Sequence, residues 1–180
     1  MTLMYLWLLI VLIAIFSGVI YFWIVPKARA FFQMLLGGAL LLISIKNPQG
    51  IQKAYLVRAI ACFNAALQKY SRDADADSWA NAQKFKAMTL RVLCATWQGI
   101  APAEMIYEAN ACLDNALQVY RREVAPNDWA DTQNWKALVL WSLSELREGS
   151  EREEIVWQAI AHLDNALQVY SREVAPDDWT

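Results

Sequence analysis

Acidic side chains are absent from the first 72 residues, histidine occurs once, and there are three cysteines. Each shortage closes a route. One histidine and an odd number of scattered cysteines argue against a disulfide framework and fit free thiols in a reducing compartment. No nucleophile motif, phosphate loop or glycine fingerprint occurs. The chain is therefore not expected to be an enzyme, and it calls for no cofactor. The acid-free front leaves a lopsided charge distribution. Residues 1–72 carry seven basic side chains, and residues 73–180 carry nine basic and 18 acidic ones. That acidic remainder disfavours nucleic acid as a partner.

What is present is a repeat. Ala161 to Trp179 reads AHLDNALQVYSREVAPDDW, and Ala111 to Trp129 reads ACLDNALQVYRREVAPNDW, matching at 16 of 19 positions. Ala61 to Trp79, ACFNAALQKYSRDADADSW, matches the last copy at 9 of 19. A fixed period of 50 residues is the signature of a repeat array.

Each unit reads as two helices. In the second, Ala159, Leu163, Ala166 and Tyr170 recur as Ala109, Leu113, Ala116 and Tyr120, and as Ala59, Phe63, Ala66 and Tyr70. Spacings of 4, 3 and 4 put them on one helical face. Small residues alternating with large ones let a neighbouring helix approach closely. Asp164 and Asp114 fall off that face and are expected to be wet. Val124-Ala125-Pro126 and Val174-Ala175-Pro176 stop the helix. Ser78 and Asp128 then read as N-caps of the first helix of the next unit. That helix carries Trp129, Gln133, Ala137, Leu140 and Ser144 against Trp79, Gln83, Ala87, Leu90 and Cys94. Asn47-Pro48-Gln49-Gly50, Gly99 and Gly149 read as turns, and Ser150 with Glu153 as a capping box.

The small residue Ala137, followed by Ala159-x-x-x-Leu163-x-x-Ala166 and a proline turn, resembles a tetratricopeptide repeat. The wording ALQVY…RE…P.DWA.TQ is similar to long arrays of that family in bacteria, notably cyanobacteria. Two departures stand out. The unit of 50 residues is longer than the family's, with the excess between Ala137 and Ala159, and Lys136 stands where leucine is usual. The likeness covers residues 50–180 well and 26–49 weakly. It implies an all-α chain, a short α-solenoid of antiparallel helix pairs.

The front differs. Leu3 to Val25 holds no charge and has Tyr5 and Trp7 at one end, Tyr21 and Trp23 at the other. Its 23 residues, at about 1.5 Å each, span a bilayer core with interfacial aromatics in place. A buried core helix and a cleaved signal peptide are the alternatives. The length of the run and the lack of a basic leader weigh against the peptide. Residues 1–25 are thus expected to form a single-pass transmembrane helix. The basic flank behind it places the repeats in the cytoplasm, at a bacterial inner membrane, or at a thylakoid membrane if the source is cyanobacterial.

Residues 30–46 are either a second span or a helix at the membrane surface. The charge rule and the repeat register favour the second. Pro26, Ala30, Gln33 and Leu40 align with Pro126, Ala130, Gln133 and Leu140, so residues 26–49 read as the first helix of a degenerate leading repeat. Met34, Leu36 and Leu41 stand where later copies have Lys84, Lys86 and Arg91. On this reading a face that is wet elsewhere is apolar here and meets lipid or a partner.

Several chemical readings remain. His162 is in register with Cys62 and Cys112, but neighbouring helices lie at least ~8–10 Å apart, whereas zinc needs ligands at ~2.0–2.3 Å. Packing is the better account, for these residues and for the nine tryptophans. Glu151, Glu153 and Glu154 read as a solvated helix start. The family resemblance implies a peptide-binding face lined by first helices. Here it would show Asn81, Lys84, Met88 and Arg91, then Asp131, Asn134, Leu138 and Trp141. Lys84 and Arg91, seven apart, could hold an acidic peptide terminus; a generic solvated face is the alternative. The expected function is a membrane-anchored scaffold or assembly factor holding other proteins at a bilayer. The alternative is a permanent subunit of a membrane complex, bound through residues 3–45.

Overall fold

The computed structural model describes residues 26–45, 49–96 and 103–174. The 3–25 run and the turn at Gly99 lie outside them. Among the described residues there are six α-helices and no strand: α1 (Pro26–Ile45), α2 (Gln49–Leu67), α3 (Ala76–Ala95), α4 (Ala103–Leu117), α5 (Pro126–Ser144) and α6 (Gly149–Val174). The fifty-residue register places α1, α3 and α5 as first helices and α2, α4 and α6 as second helices.

Each helix packs against the one before it and the one after it. The pairs run antiparallel, because the start of α1 meets the end of α2: Ala30 packs with Ala66 and Tyr70. The end of α1 meets the start of α2 through Leu41 and Leu56, and Leu93 near the end of α3 joins them. First helices also touch one another, α1 to α3 and α3 to α5, whereas the second helices make no mutual contact among the described residues.

The expected stripe is the core. Ala59, Phe63, Ala66, Ala109, Leu113 and Ala116 are all fully buried. The small first-helix position is filled closely from the other side. A Cβ added at Gly37 would lie 2.8 Å from the Phe63 ring, so α1 approaches α2 where only glycine fits. Ala87 and Ala137 occupy the same register position and are buried too. The extra length of the unit lies in the helices, since α5 runs on to Ser144 and only residues 145–148 separate it from α6.

The helix starts differ from the caps read in the sequence. α3 begins at Ala76 and α5 at Pro126, and neither Asp75 nor Ala125 before them makes a side-chain cap bond. Ser78 and Asp128 lie inside the first turn. Pro126 explains the shift: its ring presets the helical φ, and a missing N–H costs nothing at a position with no intrahelical acceptor. Asp77 and Asp128 then favour the helix N-termini by charge. Gln49 and Gly50, expected in a turn, open α2. Gly149 has φ +60, the left-handed turn that its residue type allows, and α6 starts there.

Ala116 sits in a cluster with Ala80 and Tyr120. Ala116→Leu should overpack it and cost about 1–3 kcal/mol, whereas Asp164→Ala, on the exposed side of α6, should stay within about 0.5 kcal/mol. Thermal melts of the full-length chain in detergent measure both, and equal effects would show that the repeat phase is misassigned.

Candidate functional site

The residues of the implied binding face lie along the seam between α3 and α5, and several are already engaged. Lys84 is 5% exposed. Its Nζ lies 3.1 Å from Asp128 and 3.0 Å from Asp131, both on the following first helix. The same ammonium lies 5.4 Å from the Tyr120 ring centroid, a cation–π contact. Arg91 donates from Nε to the Leu138 carbonyl oxygen at 3.2 Å. Met88 packs with the cluster of Leu41, Leu56 and Leu93. The expectation of a basic clamp for an acidic peptide is therefore corrected at Lys84. That charge is buried and doubly paired, and it bolts α3 to α5. Asn81, Asp131, Asn134 and Leu138 are half-buried along the row, and Trp141 is 52% exposed.

Asp128 and Asp131 also act on Tyr120. Burial first, then the carboxylates of Asp128, Asp77 and Asp131, push its phenol well above its ordinary value. Its hydroxyl donates to the Asp77 carbonyl oxygen at 3.2 Å.

A second buried lysine joins α5 to α4. Lys136 Nζ pairs with Asp114 at 2.6 Å and donates to the Asn110 carbonyl at 3.4 Å; the lysine side chain is 6% exposed. Burial lowers its pKa, and the hydrogen bond to Asp114 opposes that. Asp114, expected to be merely wet, thus compensates a buried ammonium. Lys86 links α3 forward instead, pairing with Glu108 of the following helix α4 at 2.6 Å. The face that Lys84, Lys86 and Arg91 were expected to turn to water is a set of inter-helix ties. The long aliphatic stems pack in the interior and the heads reach partners on the next element.

That finding corrects the leading helix as well. Leu41 is buried among Leu56 and Leu93, and Met34 packs half-buried beside Ala30, Ala66 and Tyr70. Leu41 is therefore not free to face lipid or a partner. Of the three expected residues only Leu36 is exposed, and it belongs to a larger surface with Phe31, Phe32, Leu35, Leu42 and Ile43. Sequence reasoning missed these others because it compared α1 with the charged positions of α3. The buried positions Ala82, Thr89 and Leu93 and the half-buried Phe85 are the ones that align with the exposed stripe.

At the opposite end, α6 has one side that no other described residue covers. Leu163 is 38% exposed, though its counterparts Phe63 and Leu113 are fully buried. Ile160, Leu167 and Trp157 are exposed with it. Val156, Trp157 and Ile160 line a groove with Gly149, Arg152 and Glu153.

The thiols are free. Burial raises all three, Cys112 to about 11, which makes poor nucleophiles of them. Cys62, Cys112 and His162 lie on three second helices that do not touch. Among the described residues no three His, Cys, Asp or Glu side chains gather as metal ligands. His162 Nδ1 instead hydrogen-bonds the Gln133 side-chain oxygen across to α5.

Burial, with Lys136 nearby, lowers the pKa of His162 below 6.5, and Asp114 opposes. The sign follows. The unfolded chain binds the proton more readily, so stability is present above the unfolded value and is lost as pH falls below 6.5. Melts between about pH 8 and pH 5.5 should show a decline that His162→Gln reduces. An unchanged slope in the variant would show that other groups set it.

Compared with known proteins, the chain matches no family model, no curated protein and no solved structure.

Proposed function

We propose that the chain is a membrane-anchored scaffold or assembly factor built as a short tetratricopeptide-like solenoid. The observation that carries the reading is the asymmetry of its packing. First helices touch their like and second helices do not, so an array of such pairs curves with the first helices on its inner side. A row of that kind presents an extended surface for a protein ligand. Trp141 stands on it as a large, half-exposed anchor, with Asn134 and Asn81 as amide partners along the row. Recognition by Lys84 is no part of the proposal, because that lysine holds the row together.

The anchor is the apolar run from Leu3 to Val25, followed at once by the basic flank. Pro26–Ser44 is also long and apolar enough to cross a membrane, by length and composition only. Its in-register packing against α2 and α3 favours a helix that belongs to the repeats and stands beside the bilayer. A second reading, permanent membership of a membrane complex through residues 3–45, draws support from the exposed apolar surface of α1.

A photo-crosslinking amino acid at Trp141 tests the groove in native membranes. Adducts with a protein other than this chain are expected, and their absence at this position while α1 positions react would transfer binding to the front.

Topology follows from the charge distribution, with the repeats cytoplasmic. Ser171 is exposed, so Ser171→Cys in a cysteine-free background reports the side directly. An impermeant maleimide should label it only after the cells are opened. Labelling of intact cells would reverse the orientation.

A further inference from the structure

The turns that follow the second helices lie along one edge of the array. First helices begin at that edge and second helices end there, because each pair is antiparallel. The turns are also tied to one another. Lys27, in the first turn of α1, pairs with Asp75 at 2.7 Å, and the Asp75 side chain is only 15% exposed. Arg72, in the same turn as Asp75, donates to the side-chain oxygen of Gln118, just past the end of α4. Tyr120, two residues on, donates to the Asp77 carbonyl oxygen. Residues 71–75 and 118–125 are therefore held side by side, with the start of α1 at one end of the row.

The chain before α1 sets where that row stands. The charge-free run ends at Val25 and α1 begins at Pro26, so no linker separates them. This inference rests on the reading that Leu3 to Val25 is the membrane anchor. The first turn of α1 then leaves the bilayer at the headgroups, and the ion pair from Lys27 keeps the 71–75 turn at the same level.

The two edges differ in charge. At the edge where α1 begins, Lys69, Arg72 and Arg121 are exposed. Lys69 and Arg121 form no ion pair among the described residues. Asp75 is taken by Lys27 and Asp128 by Lys84. The carboxylates left there, Asp73, Asp77 and Glu123, are outnumbered by Arg29, Lys69, Arg72, Arg121 and Arg122. The opposite edge is reversed. Among its described residues Glu104, Glu145, Glu148, Glu151, Glu153 and Glu154 outnumber Lys53, Arg147 and Arg152. Val124, in the second turn of the basic edge, is 80% exposed, more than any other large hydrophobic among the described residues. Its counterpart Ala74 is exposed too.

We infer that the basic edge lies on the membrane surface, with Lys69, Arg72 and Arg121 against the phosphates of anionic lipids and Val124 in the headgroup layer. The array then runs along the bilayer instead of rising from it. Basic heads around an apolar tip suit that interface, and an anionic surface repels the acidic edge away from it.

The full-length chain, reconstituted in vesicles of phosphatidylcholine and phosphatidylglycerol, tests this. Ala74→Cys, Val124→Cys and Glu148→Cys each carry a bimane label, and the unsubstituted chain controls for native thiols. All three are exposed positions. A nitroxide on the lipid headgroup should quench the label at 74 and 124, and iodide on both sides of the bilayer should not; at 148 the pattern should reverse. In phosphatidylcholine alone, or with Lys69→Gln and Arg121→Gln, the label at 124 should change to quenching by iodide. The label at 74, held by Lys27, should keep its lipid contact. Iodide quenching at 124 equal to that at 148 in the anionic vesicles would mean that the array rises from the bilayer, and would overturn the inference. Unchanged lipid contact at 124 in phosphatidylcholine alone would overturn the assignment to anionic headgroups. The anchor reading is scored separately, by retention of the chain on vesicles through an alkaline wash. A chain that washes off ends that reading and this inference with it, whereas a retained chain with 124 in water ends this inference alone.

Discussion

A second helix of this chain cannot be satisfied by one neighbour. Its stripe of alanines and one large residue faces its own first helix on one side and the next first helix on the other. Phe63 shows both contacts at once, with Gly37 of α1 against one part of the ring and Phe85 of α3 against another. Leu163, at the same register position of α6, is 38% exposed among the described residues. The rest of the architecture follows from that two-sidedness. Pairs must stack, and the stack must keep a constant phase.

Much of this was legible in the sequence. The alanine stripe and the helix pairs follow from a period that two near-identical copies make unambiguous, whereas the proline does not end the second helix: α4 stops at Leu117 and Pro126 opens α5. The helix starts were not legible. Asp and Ser next to tryptophan resemble caps, but Pro126 at the first helical position moves the start forward, and Asp128 becomes a first-turn charge with a lysine partner on another helix. A cap is a local device and can be read locally. An ion pair spanning 44 residues cannot.

The larger misreading concerned lysine. Charged positions on a helix are usually wet, and Lys84 was expected to be so, whereas Lys136 stood out only as a lysine where leucine is usual. Both are buried because the stems fill space that a shorter side chain would leave empty, while each head reaches a half-exposed carboxylate on the neighbouring helix. Desolvating an ammonium is costly, so such a pair adds little net stability. What it adds is discrimination. A slip in the phase between repeats would leave Lys136 without Asp114, an unpaired charge in the interior, and that penalty is far larger than the net gain of the pair.

The three repeats are therefore not interchangeable, though their backbones are alike. One position reads Met34, Lys84, Asn134 from front to back, a second Leu36, Lys86, Lys136, and a third Leu41, Arg91, Trp141. In each series the residue suits what lies beside it. Met34 and Leu41 pack into apolar clusters under α1. Lys84 and Arg91 engage Asp128, Asp131 and the Leu138 carbonyl across the middle seam. Asn134 and Trp141 sit on the last first helix, half-buried and exposed. The stripe that builds the core is copied nearly unchanged, while the seam residues vary from one junction to the next. Core chemistry makes any unit able to stack on any other, and seam chemistry decides which unit stacks where. A front that is apolar and basic, a middle closed by internal ion pairs and an acidic rear give the array a direction.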